Sequence, residues 1–170
     1  MKFIERIKEV VGSELLLKDL MSIPSIGVND EMISKEEEML PRSLSNNHRL
    51  LLKTWNGIDL DRVRVYGIGE TEEFIKPLGK EYEAWKEIVD EVAAKMGGKV
   101  VLFADDPAGF MYFELESGPI IQLDTDGGSM TKVAEDMSDF FLNYLFGERA
   151  NEYSGDDWLQ ELIDAKIIPE

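Results

Sequence analysis

The sequence predicts an α+β chain organised around an antiparallel meander, on three observations. Between Lys99 and Val133, three short apolar runs (100–103, 110–115 and 120–123) are rich in Val, Ile and aromatic residues, the composition of strands. They are separated by Asp105-Asp106-Pro107-Ala108-Gly109 and Glu116-Ser117-Gly118-Pro119, which are turn-forming sequences. Outside this stretch, apolar residues recur every three or four positions, the spacing of amphipathic helices. A fourth strand, 130–133, is expected after the Gly127-Gly128 turn.

The composition sets bounds on function. With 170 residues, 44% hydrophobic and 31% charged, the chain is globular and long enough to bury a core. One domain over 1–170 is the simplest division. The absence of cysteine excludes a disulfide framework, a thiol nucleophile and a Cys-type zinc site. Residues 1–20 interleave charge with apolar residues, unlike a signal peptide, and no stretch is long enough to span a membrane. A cytoplasmic protein is expected.

The net charge of −17 is uneven. Residues 1–100 carry 19 acidic and 15 basic side chains, whereas 101–170 carry 16 acidic and 3 basic, for net charges of −4 and −13. Such a field repels phosphate backbones, which argues against nucleic acid as a partner. It attracts a basic partner and speeds the encounter. Solubility alone also accounts for acidity of this kind.

In chain order, Phe3, Ile4, Ile7, Val10 and Val11, followed by Leu15, Leu16, Leu17 and Leu20, predict an amphipathic helix interrupted near Gly12-Ser13. Its polar face is not basic enough for a membrane-surface helix, so it packs on a core. Residues 25–30 are expected as loop. Ser34 and Glu37 fit a capping box, with the acidic run 36–38 in the first turn of a short helix that Pro41 ends. A second helix runs from His48 to Trp55, with Leu51, Leu52 and Trp55 on its buried face and Asn56-Gly57 as a left-handed cap.

Residues 62–69 alternate as a half-buried strand. Gly67 and Gly69 do not form a phosphate loop: the third glycine is missing, and Glu70, Glu72 and Glu73 would repel phosphate. Tyr82, Trp85, Ile88, Val89, Val92, Ala93 and Met96 form one stripe on a helix from about 80 to 96, closed by Gly97-Gly98. After the meander, Asp136 caps a helix bearing Met137, Phe140, Phe141, Tyr144 and Leu145, which Gly147 closes. A last helix begins after Asp156-Asp157 and runs from Trp158 to about Ala165.

Candidate chemistry is sparse. His48 is the sole histidine, with no nucleophile motif nearby, and is expected to be capping or solvent-facing. In a meander the first and third strands run the same way. Asp105 and Asp106 therefore share a sheet edge with Asp124 and Asp126, about 10 Å apart across one strand. This rim has three readings. Asp124-Thr125-Asp126-Gly127 is a fragment of a calcium loop, without the remaining spacing or the terminal glutamate. The paired carboxylates have a spacing seen in glycosidases, with nothing to tune one as an acid. Otherwise Asp and Gly simply make tight turns. The rim, with Asp156 and Asp157, is also a candidate acidic docking surface.

An ordered set of short motifs carries a family resemblance over about residues 33–146. It comprises Leu40-Pro41, a helix ending Trp55-Asn56-Gly57, a strand ending Tyr66-Gly67, the hairpin 101–112 with Gly109, then Val133-Ala134 and a helix with Phe140, Phe141 and Leu142. The set resembles the SUKH superfamily, which contains fungal cell-wall (glucan) synthesis regulators and many bacterial immunity proteins. The resemblance implies an α+β fold with a twisted, mostly antiparallel sheet flanked by helices, no catalytic activity and no cofactor. It implies a protein partner: in bacteria, a cognate toxin, often a nuclease, whose basic surface would match the acidic half of this chain. The alternative within the resemblance is a regulatory scaffold that binds signalling proteins. A carboxylate- or metal-dependent hydrolase is the third and weakest reading.

Overall fold

The computed structural model describes residues 2–24, 26–71 and 74–169. Its spine is a seven-stranded sheet in the order β1 to β7, each strand antiparallel to its neighbours. The first three strands are short: β1 (Met21–Ser22), β2 (Ile58–Leu60) and β3 (Arg64–Val65). The meander supplies the long ones: β4 (Val100–Asp105), β5 (Phe110–Leu115), β6 (Ile120–Asp124) and β7 (Met130–Ala134). The turn residues define these boundaries, as expected. The half-buried strand expected over 62–69 is shorter than its alternation implies. Only Arg64–Val65 pairs as β3, and it forms a hairpin with β2.

Helices cover both faces. On one lie α1 (Lys2–Gly12), α3 (Asn46–Thr54), α6 (Met137–Asp139) and a π-helical continuation, Phe140–Leu145. Phe140 is the hub of this layer, with ring centroids 5.1 Å from Tyr112, 5.6 Å from Phe103 and 5.7 Å from Tyr144. A bulge in β4 between Leu102 and Ala104 accompanies the contact of the Phe103 ring with Phe140 and His48. The C-terminal α7 (Ala150–Asp164) bends at Ser154-Gly155 and buries Trp158, whose indole donates to the Leu145 carbonyl at 2.8 Å. On the other face, α4 (Leu78–Ala84) and α5 (Lys86–Met96) pack against β4.

Several expectations are corrected. The first helix stops at Gly12, and the leucines beyond it form a loop and a short 3-10 turn at Lys18–Leu20, leaving Leu17 and Leu20 exposed. The second helix, α2 (Asp30–Glu37), starts four residues before Ser34, because Asn29 is the cap: its side chain accepts from the Met32 N–H. Glu36 and Glu37 therefore sit in the last turn, opposed to the helix dipole, and tertiary partners hold them instead. Glu36 accepts from the Gly79 N–H at 2.8 Å, and Glu37 from Arg49 at 2.6 Å. The expected loop 25–30 is a loop only to Asn29, and Ser25 lies outside the described residues. Trp55 ends α3 in extended backbone, so Gly57 is left-handed but stands beyond the cap. The single helix expected over 80–96 is two helices. Trp85 joins them with non-helical backbone (φ −109°, ψ 20°), which takes its side chain off the buried stripe. Glu72 and Glu73 lie outside the described residues.

Candidate functional site

The two acidic turns of the meander touch. The Thr125 hydroxyl and backbone N–H both donate to the Gly109 carbonyl, at 2.6 and 3.1 Å. Gly109 adopts a positive φ of 91°, which closes the β4–β5 turn. The four carboxylates expected along this edge then divide into two kinds.

Asp105 and Asp106 are buried, at 7% and 5% exposure. Successive residues of a strand project to opposite faces, so the two leave β4 in opposite directions. Asp105 accepts from Arg64 Nε and Lys76 Nζ, both at 2.6 Å, and from the Tyr66 hydroxyl at 3.0 Å. Its charge is neutralised within the fold. Asp106 accepts the Ala108 and Phe110 N–H groups on one oxygen and the Tyr112 hydroxyl, at 2.8 Å, on the other. Burial raises its carboxyl above the ordinary range, against those hydrogen bonds. The network continues through Gln122, which donates to Tyr112 and Tyr144; burial pushes the Tyr144 hydroxyl up to about 12.

Asp124 and Asp126 lie at the open end of the same edge. Asp124 Oδ1 accepts from the Asp126 and Gly127 N–H groups and shapes the turn. Among the described residues no lysine or arginine forms an ion pair with either carboxylate. Asp156 and Asp157 are exposed on α7, just after its bend at Gly155. Among the described residues no group of three or more His, Cys, Asp or Glu side chains is placed to hold a metal ion.

His48 is wholly buried, not solvent-facing, and among the described residues neither ring nitrogen has a hydrogen-bond partner. The cap of its helix is Ser45, whose hydroxyl accepts the His48 N–H. Desolvation holds the imidazole down to about 4, so it is neutral near pH 7 and packs edgewise on Phe103.

The central motif residues, Asn56-Gly57 and Tyr66-Gly67, pack together. Gly57 and Gly67 lie back to back: a Cβ on Gly57 would meet the Gly67 nitrogen at 2.7 Å, and one on Gly67 would meet the Asn56 carbonyl at 2.5 Å. Asn56 bonds the backbone of Ile68, and Tyr66 reaches Asp105. Leu40 and Pro41 are half-buried at the end of α2, and Phe140 is buried. The model of the SMI1 / KNR4 family (SUKH-1) matches residues 27–143, more than half of the chain. The chain belongs to this family. The SUKH-1 match includes each of these motif residues and also the acidic turns of the meander. No curated protein matches the chain. Among the described residues no helix of this SUKH-1 chain is long and apolar enough to cross a membrane.

Sequence reasoning missed the buried ion pair of Arg42 with Glu114 and the Asp106–Tyr112–Gln122–Tyr144 network. An alternation of Tyr112 with Glu114 on β5 is the trace in the sequence: polar groups recur on the face that α3 and Phe140 cover.

Proposed function

We propose that this SUKH-1 chain is a non-enzymatic binding module that neutralises a basic protein, in the manner of an immunity protein facing a nuclease-like toxin. One observation carries the reading: the charge of −13 concentrated in residues 101–170. Nucleases hold phosphates with basic surfaces, and an acidic inhibitor is electrostatically matched to them. Acidic steering also accelerates capture, which a self-protecting cell requires. The exposed carboxylates Asp126, Asp156 and Asp157, with the half-buried Asp124, belong to the part of this charge that a partner can reach.

The test is a pull-down from the native cells, a salt titration of the captured complex, and co-expression of the captured protein with the chain. The expected result is a basic partner, held more weakly as salt rises, whose toxicity the chain abolishes. Capture of acidic or neutral signalling proteins, with no salt dependence, would overturn the immunity reading in favour of a regulatory scaffold.

A further inference from the structure

The break between α4 and α5 has a consequence at the surface. A continuous helix would keep Trp85 on the buried stripe. The break instead leaves the ring 44% exposed, with its indole N–H donating to Glu81 at 3.2 Å. Trp85 there forms the wall of a cleft of about 160 Å³ between α5 and the outer strands. Met111, Leu123 and Met130 make its floor: they are register partners across β5, β6 and β7, so they stand in one row on the α5 face of the sheet. Glu91 of α5 and Asp124 of the β6–β7 turn stand at its rim, and among the described residues no basic side chain lines it. The volume is close to the ~150 Å³ that accommodates a benzene ring, which is room for one large side chain.

The lining chemistry selects that side chain. An acidic group meets two carboxylates of like charge. A purely apolar one fills the floor but strips water from Glu91 and Asp124 without replacing it. An arginine satisfies every wall: its stem lies along the methionines and Leu123, and its guanidinium meets the rim carboxylates and the Trp85 ring. Glu91 is paired with Lys95 at 2.8 Å, but both side chains are more than half exposed, and pairs of this kind hold weakly. We propose that this cleft receives an arginine presented by a basic partner protein, with Trp85 as the anchor of the interface. The inference rests on the reading of the chain as a module for a basic partner, and it names the surface used.

The test is an NMR titration of the ¹⁵N-labelled chain with acetyl-Gly-Arg-Gly-amide. The citrulline peptide (same shape, no charge) and the norleucine peptide serve as controls. The expected result is a saturable shift of the Trp85 indole and of the amides from Asp124 to Met130. Citrulline or norleucine in place of arginine, or Trp85→Ala in the chain, should weaken the binding at least roughly fivefold, and Asp124→Asn should weaken it by up to about fivefold. Trp85→Phe, which keeps a ring, should retain part of it. Shifts scattered over the whole acidic half, equal shifts with citrulline or norleucine, or no shift at all would each overturn the proposal. A basic protein bound equally well by wild type and by Trp85→Ala would overturn the cleft while leaving the acidic-module reading intact. An arginine-selective cleft on a chain that binds no basic protein would do the reverse.

Discussion

Asn56 engages both backbone groups of Ile68. Its Oδ1 accepts the Ile68 N–H at 2.7 Å, and its Nδ2 donates to the Ile68 carbonyl at 3.0 Å. The side chain thus acts as a one-residue strand, buried where α3 runs into β2. Removing it orphans a buried donor and a buried acceptor, so Asn56→Ala should cost about 2–4 kcal/mol. Gly67→Ala should cost about 1–3 kcal/mol, because the new methyl forces the Asn56 carbonyl away. Urea denaturation measures both. An Asn56→Ala chain within about 0.5 kcal/mol of wild type, as for an ordinary surface change, would remove this role.

Arg42 and Glu114 form an ion pair at 3.0 Å with side chains only 8% and 1% exposed. Arg42 also donates to the Glu114 carbonyl at 2.7 Å, and the second carboxylate oxygen accepts from the Ser45 hydroxyl at 2.7 Å. The pair ties the α2–α3 loop to the centre of the sheet. Glu114→Ala strands a buried guanidinium and should destabilise by about 3–5 kcal/mol. The double variant Arg42→Met, Glu114→Leu should recover most of that loss, since two buried charges disappear together. A double-mutant cycle decides it: additive losses would mean that the two residues act independently.

His48 makes acid stability a local question. Its imidazole is held at about 4, against an ordinary 6.5. Between these values the unfolded chain binds a proton that the folded chain refuses. Stability from this group is therefore full above pH 6.5, falls as pH drops towards 4, and is constant below; linkage puts the loss at about 3 kcal/mol. Asp59 and Asp106, raised by burial, act in the opposite sense and gain as pH falls. The comparison of wild type with His48→Met isolates the histidine. The variant should be no less stable at pH 7, having lost two unpartnered nitrogens, and should show a flatter stability curve from pH 6.5 to 4. Parallel curves for the two proteins would contradict the assignment.

What was legible in the sequence follows from how local each signal is. The meander was legible because Pro, Gly and Asp turns bound every strand, and Asp136 because its cap bond to the Asp139 N–H spans three residues. Strands β1 and β2 contain only two or three residues, too few to show an alternation, whereas the alternation over 62–69 runs well past the two residues that pair as β3. The break at Trp85 contains neither glycine nor proline. Asp105 resembled a turn carboxylate because its cationic partners, Arg64 and Lys76, lie 41 and 29 residues away. Ser34 met the pattern of a cap, but Asn29 supplies the bond with the same three-residue spacing earlier in the chain.

The division of the acidic edge yields opposite expectations for its two halves. Asp105→Asn releases Arg64 and Lys76 and should cost about 1–3 kcal/mol; Asp106→Ala orphans three donors and should cost a similar amount. Neither should alter the affinity of the folded chain for a basic partner, because neither carboxylate is offered to solvent. Asp124→Asn keeps the oxygen that accepts the turn N–H groups and removes only charge. Stability should be unchanged, while affinity should fall by roughly 0.2–1 kcal/mol, the range of exposed ion pairs. Asp126→Asn should behave alike, and in both variants the salt dependence of the association rate should flatten. Thermal melts and stopped-flow association at two salt concentrations separate the classes. A stable Asp105→Asn chain that binds poorly would mean that the buried carboxylate, not the open turn, faces the partner.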